Sequence, residues 1–368
     1  MFAISDYIKY IDRNKLESTI KQIVDDFNDL NSDTIVSYKL ITNKDLLQNG
    51  KVLTRLGLGP DIILSSSRNL ISLKALKMIS SPPPTPSKVL GEFLPDSLNV
   101  LREGSQLQAL PAFQTMTLMC YDRRHIASPP STPRDLKTLA DKGLKIGLAN
   151  DLPFVLWMTS ILTNNRSSAS SLAFKKRFIL GLTEWLTWSQ RNPNVITSSK
   201  QDYLNKGLID GKLSLISCPS FWVSSLSLGM NHYLGIAPLP TGGARPIADL
   251  FVWTFGRNSS TQQRKSALKF VLFTTNSEQQ RRMAELNGSL ISINNETLIN
   301  KKEHPSLYQL ALAGEKARFL NMSQIHHVNQ VRPQLQHLLD EVNAGQKTAQ
   351  EAALTISTLL DPYLGSKP

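Results

Sequence analysis

Apolar and polar positions recur along this chain with two periods, and the periods predict alternating strands and helices. Leu16, Ile20, Ile23, Val24, Phe27 and Leu30 fall at helical spacing after Asn14, a cap candidate, which predicts an amphipathic helix over 15–30. Residues 35–40 read as a strand. Pro60-Asp61-Ile62-Ile63-Leu64, followed by Ser65-Ser66-Ser67, reads as a buried parallel strand running into a small-residue loop. Open α/β sheets bind their ligands at such strand ends. Further strands are predicted over 115–121, 144–149, 213–217 and 250–255, and a Pro/Gly loop over 233–243. A buried helix is predicted over 154–162. A second, over 174–190, carries Phe174, Phe178, Leu182, Trp185 and Trp188 on one face, spacing that predicts core packing.

Helix starts are marked by capping patterns. Thr132-Pro133-Arg134-Asp135, Ser260 with Gln263, Ser277 with Gln280, and Thr348 with Glu351 each place a side-chain acceptor three residues before a partner for it. Gly288 is placed to close the helix that Ser277 opens, and the carboxy-terminal third reads as helical. Ser80-Ser81-Pro82-Pro83-Pro84-Thr85-Pro86 excludes helix and central strand and predicts an exposed, polyproline-like connection.

Length and composition narrow the class. A chain of 368 residues, 41% hydrophobic and 19% charged, exceeds one compact core and suits two globular domains. The longest uncharged run, 213–244, is interrupted by Pro219, Pro238, Pro240 and several glycines and is no membrane span. The net charge of +12 is uneven: 13 basic against 12 acidic residues in 1–112, 15 against 8 in 113–254, and 13 against 9 in 255–368. The basic residues stand mostly singly or in pairs, and Lys175-Lys176-Arg177 is the only triplet. With no aromatic residues interleaved among them, a solvated basic face is expected and nucleic acid is not. Cys120 and Cys218 could form one disulfide or stay as two buried thiols, and buried thiols are favoured in a chain large enough to need no staple. Met1-Phe2-Ala3-Ile4-Ser5 shows no basic segment followed by an apolar stretch. As written, then, no secretory signal is visible, and the chain is either cytoplasmic or a mature or truncated form.

Motifs for catalysis are missing. There is no Gly-x-Ser-x-Gly, no His-Glu-x-x-His and no phosphate-binding glycine loop, and Gly57-Leu58-Gly59 stops short of a dinucleotide motif. His326-His327 on a helix cannot chelate one metal as an i, i+4 pair would. No enzyme activity, metal or cofactor is expected.

The order of motifs resembles the extracellular solute-binding proteins of ABC importers, of the sugar-binding type. Similar segments are Pro60 to Leu64, then Leu110-Pro111-Ala112-Phe113-Gln114 through Tyr121-Asp122, then Pro130-Ser131-Thr132-Pro133-Arg134-Asp135-Leu136. They continue with Gly211-Lys212-Leu213 through Cys218-Pro219-Ser220-Phe221-Trp222, with Gly235-Ile236-Ala237-Pro238-Leu239-Pro240, and with Trp253-Thr254-Phe255. Ser220 stands where that family often has Trp, and Cys218 where it often has Gly.

The resemblance implies a two-lobed α/β fold of the periplasmic-binding-protein type, each lobe a mainly parallel mixed sheet flanked by helices. The lobes would be 1–112 plus 256–305, and 113–255 plus 306–368, joined by crossover strands. A sugar-like solute would bind in the cleft between them, hinge bending would close it, and a monomeric receptor outside the cytoplasm would deliver it to the permease subunits. Sugar rings present apolar faces and hydroxyl edges, so aromatics and short polar side chains are required. Transferred by position, the ligand residues would be Asp6, Tyr7, Ser66, Ser67, Phe113, Gln114, Asn150, Asp151 and Trp157, with Phe221, Trp222 and Trp253 for stacking. A phosphorylated or carboxylated solute is the alternative, because Arg68, Arg123, Arg124 and Arg245 fall near predicted loops. Two other readings remain open: an enzyme on the same scaffold, and a non-transport binding or interaction protein, perhaps inside the cell.

Overall fold

The computed structural model describes residues 2–4, 13–163, 171–288 and 290–361. The chain divides into two compact units. Unit 1 comprises Met1–Thr115, Ser220–Ser225 and Ala248–Met322, and unit 2 comprises Met116–Pro219, Leu226–Ile247 and Ser323–Pro368. Residues 113–115, 220–225, 248–255 and 306–322, expected with the second lobe, group with the first.

The strands, in chain order, are β1 (Phe2–Ile4), β2 (Tyr38–Leu40), β3 (Ile62–Ser66), β4 (Ile79–Ser80), β5 (Arg102–Glu103), β6 (Gln106–Leu107), β7 (Leu110–Asp122), β8 (Ile146–Ala149), β9 (Val195–Ser198), β10 (Leu215–Pro219), β11 (Leu234–Pro238) and β12 (Ala248–Gly256). In unit 1 the sheet runs β2-β1-β3-β12, with β1 parallel to both neighbours and β12 antiparallel to β3. All five residues of β3 are buried, as a parallel strand covered on both faces requires. The register sets Trp253 opposite Leu64 and Phe255 opposite Ile62, on one face of the sheet. That face packs on Ile20, Ile23, Val24 and Phe27 of the helix Arg13–Leu30 and on Ala267, Phe270 and Val271 of the helix Thr261–Thr275. Phe27 and Phe270 meet edge to face at 5.1 Å, and burying each ring stabilises the unit by about 1.5–3 kcal/mol.

In unit 2 the order is β11-β7-β10-β8-β9. Here β7 is antiparallel to both β10 and β11, and β8 lies parallel between β10 and β9. Behind it lie the helices Leu152–Thr163 and Ser171–Arg191, whose Phe178, Leu182 and Trp185 are buried as their spacing predicts. The side chain of Phe174 lies outside the described residues.

Local signals set most element starts. The capping boxes at Thr132, Ser260 and Thr348 are formed, and Gly288 closes its helix with a left-handed φ of 69° that a side chain would resist. Four expectations need correction. The first helix begins at Arg13, so Asn14 lies inside it. Asn276 rather than Ser277 caps the helix Ser277–Asn287, its side chain accepting from the Gln279 amide at 2.9 Å. The strand expected over 35–40 is only Tyr38–Leu40, with Ile35 86% exposed. Half of the expected Pro/Gly loop is the strand β11, because Gly235 lets its backbone lie against the Tyr121 ring.

The cysteines take the less favoured of the two states open to them. They form a disulfide, both side chains fully buried, with their Cα atoms 6.0 Å apart. Cys120 pairs opposite Ile216 and Cys218 opposite Leu118, so the two are diagonal neighbours on one face of adjacent antiparallel strands. Their 98-residue separation in sequence hides that adjacency. Replacing both by Ala should lower unfolding stability by about 2–4 kcal/mol. Thiol titration of the denatured, unreduced protein should find none, and two titratable thiols would refute the pairing.

Candidate functional site

The parallel strands of unit 1 end in a cluster of short polar side chains. β3 ends at Ser66, whose Oγ accepts from the Arg68 amide at 3.2 Å and so opens the turn Ser67–Asn69. Ser66 and Ser67 are 2% and 6% exposed. After β2, Asn43 opens the helix Asn43–Arg55 and donates to the Asn69 side chain at 3.0 Å, while its Oδ1 is buried and makes no hydrogen bond within the protein. Asn43, Asn69 and Asp249 were not candidates from the sequence. Asn43 follows β2 as Ser67 follows β3, a signal that could have found it. Asp249 enters only through the β3–β12 register and has no local signal. Asp6 and Tyr7, which follow β1, lie outside the described residues.

Other unit 1 candidates are packed inward. Trp253 is 4% exposed, faces the helices beside Leu64 and meets Phe270 edge to face at 5.7 Å. Phe113 stacks on Phe251 at 4.5 Å, with the rings 16° from parallel. Gln114 is fully buried; its Nε2 donates to the Ser292 carbonyl at 2.9 Å, and its Oε1 has no partner in the protein. Phe221 is buried and Trp222 half-buried, their ring centroids 6.4 Å apart, just after the buried Ser220.

In unit 2 the corresponding strand end is Asn150-Asp151 after β8. Asp151 Oδ1 accepts from the Phe154 amide at 3.1 Å and holds the start of the helix Leu152–Thr163. Asn150 is 4% exposed; its carbonyl accepts from Gln336, and its Nδ2 makes no hydrogen bond within the protein. Buried polar atoms without partners are rare because each costs about 1–3 kcal/mol. Trp157, one turn on, packs edge to face on Trp185 at 5.3 Å.

The arginines divide. Arg68 Nη2 lies 2.5 Å from both carboxylate oxygens of Asp249. Arg124 holds Asp122 through Nε and Nη2, with its guanidinium 4.7 Å from the centre of the Tyr233 ring. Both cations are therefore matched internally and are poor candidates for binding an anionic solute. The hydrogen bond from the Arg124 guanidinium, with its charge, holds the buried Asp122 carboxyl below the usual carboxylate range despite the opposing effect of burial.

No protein-family model and no curated protein matches the chain. Solved structures do match it in fold. A cyclo/maltodextrin-binding protein complexed with maltotetraose superposes with a TM-score of 0.78 at 16% identity, over 99% of this chain and 97% of that one. A cyclic α-maltosyl-1,6-maltose binding protein from Arthrobacter globiformis gives 0.76 at 13% identity, over 99% and 98%. The extracellular solute-binding protein of Staphylococcus aureus in complex with maltose gives 0.73 at 17%, over 99% and 97%. The chain therefore has the two-lobed solute-binding-protein fold along its whole length.

The Asp122–Arg124 pair makes a pH prediction. Because the folded carboxyl titrates below its unfolded value, its stabilisation is whole above about pH 4 and is lost as pH falls through the lower folded value. Arg124→Gln should therefore unfold at a higher pH than the unmodified chain in an acid titration. The stability gap between the two should be constant near neutrality and close in strong acid. A gap that widens as pH falls would contradict the pairing.

Proposed function

We propose that this chain is the solute receptor of an ABC importer, taking up a neutral, maltodextrin-like sugar and handing it to a membrane permease. The observation that carries this reading is the polarity of the strand ends. Ser66, Ser67, Asn43 and Asn150 are uncharged donors and acceptors, and the neighbouring charges of Arg68 and Asp249 are already paired. Sugar hydroxyls both donate and accept, which suits amides and hydroxyls. A phosphate or carboxylate would call for uncommitted cations. The fold shared with maltodextrin- and maltose-binding proteins supports the same ligand class.

Within this reading each unit carries its own strand-end polar residues. Ser66 and Ser67 act in unit 1, joined by Asp6 and Tyr7 by position, and Asn150 and Asp151 act in unit 2. Trp222 supplies the stacking face, because the rings of Trp253, Phe113 and Trp157 serve as packing. The reading is one of binding without turnover. It places the protein outside the cytoplasm, where a buried disulfide such as Cys120–Cys218 forms and persists.

A panel of sugars in a thermal-unfolding assay tests the proposal. A maltodextrin at about a hundred times its Kd should add about 2.7 kcal/mol of stability and raise Tm by several degrees. Asn150→Ala should weaken that sugar by about 5–30-fold while moving the Tm of the free protein little. If no sugar shifts Tm, the reading falls.

A further inference from the structure

Where β8 ends, side chains from other elements complete its hydrogen bonding. β10 is registered to β8 at Ile146 and Gly147, and beyond them the Ala149 amide donates to the Ser217 hydroxyl at 2.7 Å. On the other side β9 keeps its register as far as Ala149, and the Asn150 amide donates to the Ser198 carbonyl at 2.9 Å. The Asn150 carbonyl is met by a helix: Gln336 of Met322–Asn343 donates to it from Nε2 at 2.8 Å. The second hydrogen of that Nε2 goes to Asp340 Oδ1, 3.1 Å away and one turn along the helix. Gln201 of the helix Gln201–Ile209 repeats the arrangement, its Nε2 donating to the Ser217 carbonyl and to Asn205 Oδ1, four residues on, each at 3.0 Å. In both cases an amide nitrogen with two hydrogens is oriented by its own helix and aimed at a strand-end carbonyl.

The helix Met322–Asn343 has other attachments to unit 2. It buries Leu335, Leu338, Leu339 and Val342, Thr197 Oγ1 donates to Asn343 Oδ1 at 2.8 Å, and Gln190 donates to the Val342 carbonyl. What Gln336 adds is local. With the Asn150 N–H held by Ser198 and its C=O by Gln336, the planar peptides on either side of its Cα are both fixed, and so is the direction of the Cα–Cβ bond. The side chain on that bond is 4% exposed, and its Nδ2 makes no hydrogen bond within the protein. Its aim depends on the backbone that carries it.

We infer that Gln336 is the positioning residue for Asn150, holding it in the pose in which its unpartnered Nδ2 meets a sugar hydroxyl. Gln336 acts through Asn150, because both of its Nε2 hydrogens are taken by Asn150 and Asp340. A binding side chain loses affinity when it drifts by a fraction of an ångström, so the residue that supports it affects binding although it touches no ligand. The inference rests on the receptor reading for what Asn150 binds; that Gln336 sets the Asn150 backbone follows from the hydrogen bonds themselves.

Titration with maltotetraose tests it. Gln336→Leu, which removes the donor, should weaken binding by about 5–10-fold, and Gln336→Glu, of nearly the same shape with no hydrogen to give at neutral pH, by at least as much. Thr197→Val removes a different tie between the same helix and the sheet and should change Kd by less than about twofold, although it lowers Tm by a similar small amount. Added to Asn150→Ala, Gln336→Leu should cost no more than a further factor of about two, since its effect runs through a side chain already removed. A fully additive loss in that double variant, or an equal loss in Thr197→Val, would overturn the inference. A second measurement needs no sugar. Hydrogen exchange at the Asn150 amide, bonded to Ser198, should quicken about tenfold in Gln336→Leu and Gln336→Glu and stay unchanged in Thr197→Val. Unchanged exchange in the Gln336 variants would overturn the inference whether or not maltotetraose binds. Quickened exchange in a protein that binds no maltotetraose would support the positioning role and count against the receptor reading alone.

Discussion

Much of this structure hangs on one strand. β7 runs for 13 residues, all but one of them buried, whereas strands of five or six residues are usual. Such a length cannot be spent on one small sheet, and it is divided. Leu110–Thr115 belong to unit 1, with β12 as a neighbour, and Met116–Asp122 belong to unit 2, between β10 and β11. A buried strand must satisfy its backbone groups on both edges, so β7 obliges each unit to bring partners to it. The second half carries two further fixtures, the Cys120–Cys218 disulfide and the Asp122 carboxylate held by Arg124. The sheet of unit 2 is thus braced covalently, between β7 and β10, by the disulfide.

How far the sequence could be read depends on the range of each interaction. The capping boxes at Thr132, Ser260 and Thr348 involve partners three residues apart and were legible. So was the buried face of the helix Ser171–Arg191, because helical spacing alone puts Phe178, Leu182 and Trp185 together. Where two local signals compete the outcome was not legible: Asn276 and Ser277 are both cap formers, and only the preceding helix end decides between them. Longer-range facts were out of reach. Arg68 and Asp249 are 181 residues apart, and Cys120 and Cys218 are 98 apart; each pair meets through strand register, which no spacing in the chain reveals.

The same distinction separates the candidate ligand residues. Strand-end residues such as Ser66 and Asn150 could be named because a parallel strand has a direction, and direction settles which end carries the loop. The facing of an aromatic side chain is a different question. Along β12, Phe251, Trp253 and Phe255 alternate onto the face covered by the helices Arg13–Leu30 and Thr261–Thr275. A tryptophan at that register is worth more to the core than to a solute. Phe113 follows it there, stacked on Phe251.

The surroundings of Ser220 explain why no large ring stands at that position. Ser220 is fully buried at the point where the chain leaves β10, and its Oγ has no partner in the protein. A larger ring at that position would have to displace buried atoms, whereas Trp222, two residues on, is half-buried. Moving the aromatic by two residues along a 3-10 turn, Ser220–Trp222, advances it by most of a turn, so the ring lies on a different side of the backbone.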